Sequence, residues 1–254
     1  MRLAAATMDR RIARGNIAAA FGRKPFERYR REEPVEVRGA DVKGTDLEIL
    51  RRKRELLKAM TPEQALEVIE FRRNLNLFEA VEIAKRENLL LVPNFIIERI
   101  LTETKAEIPW TRTGTLIIYQ KPDAPFGALV TYQGIAFSVP EKYQGMTNCA
   151  LAVEHPDFEI LDLGANKHEL RMADESTIHL IEKFPGKHGW HLLHAETGIP
   201  HGRQAEQKSP EGRRLWRVKD SYVGLLVRYY VYDGGGPRVD AYFQASGRFG
   251  VALF

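Results

Sequence analysis

Five of the nine tyrosines, Tyr222, Tyr229, Tyr230, Tyr232 and Tyr242, fall in the last 35 residues, with Arg228, Asp233, Arg238 and Asp240 interleaved among them. That mixture suits non-covalent chemistry. Tyrosine rings bury a large area while freezing only two side-chain torsions, and neighbouring charges orient a ligand. The same segment, Asp220 to Phe254, contains no Lys and no Glu, although the chain holds 13 and 24 of them. At the chain-average frequency about five would stand there. A buried hairpin would also shed Lys and Glu, but it accounts less well for four interleaved charges.

A second grouping is the histidines. All seven, His155, His168, His179, His188, His191, His194 and His201, lie between positions 155 and 201, and imidazole is the commonest transition-metal ligand. The spacing argues against a shared metal. On a strand His188 and His191 face opposite sides, as do His191 and His194, and Gly186 and Gly189 disfavour the helix on which they would converge. Scattered surface histidines are the expectation.

Two further groupings are weaker. The run Arg51-Arg52-Lys53-Arg54 could touch phosphates, supported by 16 Lys+Arg against 9 Asp+Glu in residues 1–60. Four consecutive helical residues point almost all round, however, so a solvated face is the simpler reading. The spacing from Thr61 to Glu87 also admits a helix–turn–helix, but its second helix would carry Glu79, Glu82 and Glu87, a poor balance for a DNA groove. Asp157 with Glu159, or Asp220 with Asp233 and Asp240, could form a carboxylate pair for acid–base work. Sequence leaves their separation open.

Catalytic and cofactor signatures are otherwise missing. The chain has no GxSxG elbow, GxxxxGK[ST] phosphate loop, strand-borne GxGxxG or HExxH. Gly234-Gly235-Gly236 lacks the Lys-Ser/Thr of a phosphate loop and reads as a turn leading into Pro237. Cys149, the single cysteine, stands in the apolar context Asn148-Cys149-Ala150-Leu151 and reads as an inert core thiol. A lone cysteine also excludes an internal disulfide. No run of about 18 apolar residues exists to span a bilayer, and Met1–Ala20 is interrupted by Arg2, Arg10, Arg11 and Arg14. The expectation is a cytoplasmic protein with no membrane partner, no cofactor and no metal, and a binding role in preference to catalysis.

The elements that must position these groups change character along the chain. Residues 1–45 read as a basic, partly flexible arm. A helical region spans 46–107. Asp46 can cap a helix with Leu47, Leu50, Leu57 and Met60 near one face. Thr61-Pro62-Glu63-Gln64 is a capping-box start that turns Ala65, Leu66, Val68 and Ile69 inward. Asn76, three residues before Glu79, begins another helix through about Glu87, and Asn94 begins one with Phe95, Ile96, Ile97, Ile100 and Leu101.

Residues 108–254 then read as a β-rich ligand-binding domain, because Thr115–Tyr119 is rich in β-formers and Pro122, Pro125 and Gly127 break the chain soon after it. Further strands are expected at Ile135–Val139, Cys149–Glu154, Thr177–Phe184, Trp190–Leu193, Leu215–Val218, Tyr222–Tyr232, Val239–Gln244 and Phe249–Phe254. Gly198–Gly212 reads as an exposed polar loop. In the tail, Tyr230 and Tyr232 share a strand face, and a Gly-rich turn folds Val239-Asp240-Ala241-Tyr242 back beside them. Phe249, Val251 and Leu253 are expected in the core of an internal closing strand.

The ending Gly247-Arg248-Phe249-Gly250-Val251-Ala252-Leu253, after the Trp-containing strand Arg214-Leu215-Trp216-Arg217, resembles that of C-type-lectin-fold modules. Within that group it is similar to the variable proteins of diversity-generating retroelements, whose adenine-directed mutagenesis acts at C-terminal codons that cannot then become Lys, Glu, Gln, Met or Trp. From Ser221 to Ser246 only Gln244 lies outside the permitted set. The resemblance covers roughly the final 40 residues. The two helices of a lectin-type module are not evident after Ile108, and its paired cysteines and calcium-binding signatures are missing. It implies a diversified surface, with ligand-binding positions at Tyr222, Arg228, Tyr229, Tyr230, Tyr232, Asp233, Arg238, Asp240 and Tyr242.

The sequence therefore predicts an α+β protein, with a helical N-terminal region followed by a mostly antiparallel, C-type-lectin-like β domain. Its expected partner is a protein or other macromolecule held by the C-terminal surface. The alternative is a nucleic-acid-associated protein using the basic N-terminal arm and helices.

Overall fold

The computed structural model describes residues 46–104, 106–185, 189–204, 212–215, 221–228, 237–240 and 247–253. The expected basic arm, 1–45, lies outside them. From Asp41 onward the chain forms one compact unit, of the α+β class.

Local signals account for the helices. In α1 (Asp46–Ala59), Asp46 and Glu48 occupy the first turn and Lys58 the last, as the helix dipole favours. Helix α2 (Pro62–Val68) opens on a capping box in which Gln64 N donates to Thr61 Oγ1 and Thr61 N donates to Gln64 Oε1. The same reciprocal pair, Asn76 with Glu79, opens α3 (Leu77–Arg86). Helix α4 (Asn94–Glu103) has no side-chain cap. Asn94 N instead donates to Thr115 Oγ1, and its side-chain amide donates to the Thr197 carbonyl.

Between α2 and α3 the chain is extended. Strand β1 (Ile69–Leu75) pairs antiparallel with the closing strand β15 (Gly247–Ala252), from Ile69↔Ala252 to Arg73↔Arg248. This overturns the helix–turn–helix reading, since that motif needs a turn of about three or four residues and not a seven-residue strand. The alternation in Glu70–Leu75 is weak, and only the far end of the chain supplies its partner.

The main sheet runs β1, β15, β3 (Thr111–Tyr119), β13 (Tyr222–Arg228) and β14 (Pro237–Asp240). Strand β3 (Thr111–Tyr119) is its long central member, buried throughout. One edge of β3 carries β13 (Tyr222–Arg228), antiparallel from Tyr222↔Tyr119 to Arg228↔Thr111. The other edge carries β15 near Arg112, in parallel, and β6 (Ala150–Glu154), antiparallel, from Thr115 onward. Strand β9 (His179–Ile181) extends β6, and the short β2 (Leu90–Leu91) pairs with β15. A second sheet contains β4 (Leu129–Tyr132), β5 (Ile135–Ser138), β8 (His168–Met172) and β7 (Phe158–Asp162) in that order. A third holds β10 (Gly189–Leu193) between β11 (Pro200–Gln204) and β12 (Gly212–Leu215). Strand β11 falls where an exposed polar loop was expected.

Alternation along β3 and β6 divides the core. Leu116, Ile118, Leu151 and Val153 face one way, onto Phe249, Val251, the second sheet and α3. Ile117, Tyr119, Ala150 and Ala152 face the other way, with Ile181, Phe184, Ile199 and Leu215. A third cluster joins Leu57 of α1, Ala65 and Ile69, Leu90 and Val92, and the apolar face of α4.

The closing strand is internal, lying between β1 and β3, with Phe249 and Val251 fully buried. Leu253, expected beside them, is instead 44% exposed. The last ladder pair is Ala252↔Ile69, so Leu253 lies past the end of the sheet. Among the described residues no helix is long and apolar enough to cross a membrane.

Candidate functional site: an edge hairpin and a buried charged cluster

The tail forms a hairpin at the edge of the main sheet. Strand β14 (Pro237–Asp240) returns along β13 in the register Leu225↔Asp240, Leu226↔Val239, Val227↔Arg238 and Arg228↔Pro237. Val239 and Asp240 thus lie opposite Leu226 and Leu225, upstream of the tyrosines they were expected to join. Of the nine predicted binding residues, Tyr222, Arg228, Arg238 and Asp240 stand at register positions of this hairpin. Tyr229, Tyr230, Tyr232, Asp233 and Tyr242 lie outside the described residues.

The other grouping was not legible as a unit in the sequence. Asp157, just after β6, has a fully buried side chain whose carboxylate receives two arginines of α1. Arg51 Nε is 2.6 Å from Oδ1, and Arg54 Nη1 is 2.5 Å from Oδ2. Lys53 donates to the Asn88 carbonyl at 2.6 Å. Three cations of the 51–54 run are therefore bonded within the chain, all three only partly buried, and of the expected solvated face Arg52 alone is exposed. Asp157 is equally not a free acid–base partner for Glu159.

Three residues upstream, Glu154 continues the face of Ala150 and Ala152. It is 1% exposed, and neither carboxylate oxygen has a hydrogen-bond partner among the described residues. Burial raises its pKa to about 7, against the opposing pull of Lys58 and Arg54. The adjacent His155 faces the opposite side, where Nδ1 accepts from Leu91 N at 3.2 Å. Burial lowers its pKa to about 3, so it remains a neutral acceptor.

The remaining histidines do not gather as ligands. His194 meets Thr197 Oγ1 at 3.2 Å and lies edge-on to His201, with ring centroids 5.5 Å apart. His179 lies 3.9 Å from Glu196, with its pKa lowered mainly by burial. His168 stacks on Phe78 and His191 is buried, while His188 lies outside the described residues. Among the described residues no three His, Cys, Asp or Glu side chains converge as a metal site. Cys149 is buried, and burial pushes its thiol up, which leaves it a poor nucleophile.

No protein-family model matches the chain, and neither a curated protein nor a solved structure significantly similar to it was found. One sequence signal does point to the buried cluster. Glu154 ends an otherwise apolar strand at a position whose parity is inward, and an inward charge needs a reason.

Proposed function

We propose that the protein is a binding protein that presents its C-terminal hairpin to a protein or other macromolecular ligand. The observation that carries this reading is the position of β13 and β14. Strand β13 pairs along β3, while β14 stands last in the strand order, and the segment between Arg228 and Pro237 joins them in sequence. That segment contains Tyr229, Tyr230, Tyr232 and Asp233. Rigid aromatics on a braced support lose little entropy on binding, which favours affinity without a preformed pocket.

The absence of Lys and Glu from Asp220 onward supports a more specific form of the reading, a diversified variable protein of a retroelement. Under it, Tyr222, Arg228, Tyr229, Tyr230, Tyr232, Asp233, Arg238, Asp240 and Tyr242 are variable contact positions on a C-type-lectin-like module. The test is genomic and population sequencing. A reverse transcriptase gene beside a near-copy of the tail-coding segment, with substitutions confined to adenine positions, is expected. A tail that varies no more than the rest of the gene would sink the diversified form. Loss of ligand capture on shaving the tyrosines tests the binding role itself.

A further inference from the structure

The buried Glu154 carboxyl has no hydrogen-bond partner among the described residues, and Arg54 and Lys58 of a helix held by charge bear on it. Helix α1 is tied down by Arg51 and Arg54 on Asp157 and by the Leu57 side chain in the core. Arg99 adds bonds to the Lys58 and Met60 carbonyls at the end of the helix. The groups that bear on Glu154 come from two places. Helix α1 contributes Arg54, Glu55 and Lys58, and the turn after its own strand contributes Asp157.

Neither cation is free to neutralise it. Arg54 is committed to Asp157, and Lys58 lies 3.3 Å from Glu55. Strand β9 adds His179, which shares the face of Ala152 through their register pairing. Burial and Lys58 hold that imidazole below its ordinary value, which disfavours its charged form. Glu196 and His194 bear on His179 in turn. Next to Glu154 along the chain, His155 faces the other side of the strand, onto Leu91 N.

A neutral carboxyl is tolerated in such a place, while an ionised one without hydrogen bonds is costly. Of the elements that bear on it, α1 is the one fastened by ion pairs to the turn three residues away, and lifting it opens a path for water without breaking the sheet. We propose that α1 is a pH-sensitive latch, docked while Glu154 is protonated and released as its carboxylate forms. The sign follows from linkage. A carboxyl whose folded value is raised above its unfolded one favours the docked state at low pH, and that preference is lost as pH rises through the folded value, near 7.

The test is hydrogen exchange of α1 amides in the full chain at about pH 6 and about pH 8.5, corrected for intrinsic rates and referred to α4. Wild-type protein is expected to show α1 opening more often at the higher pH by about tenfold or more, since each unit of pKa shift is a factor of ten. Glu154→Gln, a neutral isostere, is expected to remove the dependence, and His179→Gln to keep it. Asp157→Asn is expected to leave α1 open at both values. An unchanged wild-type ratio, a rise that survives Glu154→Gln, or one that vanishes in His179→Gln would each overturn the latch. If Glu154→Gln does not fold, infrared spectroscopy of wild-type protein decides. A protonated-carboxyl band that fades between the two pH values supports the proposal, and its absence at the lower one refutes it.

Discussion

Arg54 and Asp157, separated by 103 positions in the chain, meet at 2.5 Å, and Arg51 occupies the other oxygen of the same buried carboxylate at 2.6 Å. This fork ties the first helix to the turn that follows β6, and it converts a basic run that resembles a phosphate-binding surface into an internal strut. Removing the acid leaves two guanidinium groups facing a dry carboxylate site, a larger loss than removing either base. Asp157→Ala is expected to cost about 3–5 kcal/mol. Arg51→Ala should cost clearly less, because a third of its side chain is solvent-exposed. Urea unfolding of the three proteins checks the order, and equal losses would mean that the fork is not a unit.

Gly114 has a specific steric reason to be glycine. A Cβ there would press against the Leu91 carbonyl and stand 2.8 Å from Leu91 Cβ, while Gly114 N donates to the Val92 carbonyl at 2.7 Å. Backbone lies on the far side, so nothing can swing away. Gly114→Ala should destabilise by about 1–3 kcal/mol, the usual range for overpacking. Thermal denaturation measures it, and a neutral effect would show that β2 and β3 can separate without cost.

The closing strand and the residue that follows it supply a contrast. Phe249 is fully buried among the main core residues, and Phe249→Ala is expected to cost about 3–5 kcal/mol. Leu253→Ala should stay within about 0.5 kcal/mol, as exposed sites do. Deleting residues 247–254 removes the partner of both β1 and β2 and should abolish cooperative unfolding. A truncated protein that melts like the full chain would refute the internal position of this strand.

Adjacent residues give opposite pH dependences. Glu154, with its pKa raised by burial to about 7, contributes stability below about pH 4.5 that fades as pH climbs to about 7, a change on the order of 3 kcal/mol at most. His155, held down by burial to about 3, contributes stability above about pH 6.5 that fades as pH falls toward about 3. Glu154→Gln should therefore remove the decline in stability between about pH 4.5 and about 7, and His155→Asn the loss as pH falls from about 6.5 toward about 3. Exchanged effects would mean that the burial of one of the two side chains is misassigned.

Tyr230→Ala combined with Tyr232→Ala should leave the melting temperature within a few degrees, as the proposed ligand-facing role of these rings requires. Capture of the ligand by the full chain should fall at least tenfold, as expected when aromatic anchors are removed. A large loss of stability would instead identify these rings as core.

Much of this molecule is legible from short stretches of sequence, for a physical reason. A capping box needs four residues, so Thr61–Gln64 and Asn76–Glu79 declare α2 and α3 by themselves. A run of β-formers needs only five or six, so Thr115–Tyr119, Cys149–Glu154 and Phe249–Phe254 declare strands. The depletion of Lys and Glu in the tail is likewise a property of composition alone. What the tertiary structure decided are the choices of partner. Strand β1 exists because the end of the chain returns to pair with it, and β14 meets Leu225–Arg228 because β3 fixes where β13 lies. Arg51 and Arg54 turn inward because Asp157 arrives from more than 100 residues away. Glu154 has its pKa raised because the folded chain buries it, with Arg54 and Lys58 of α1 brought near it. Local geometry is written in neighbouring side chains, whereas burial and charge pairing arise only when distant segments share one volume.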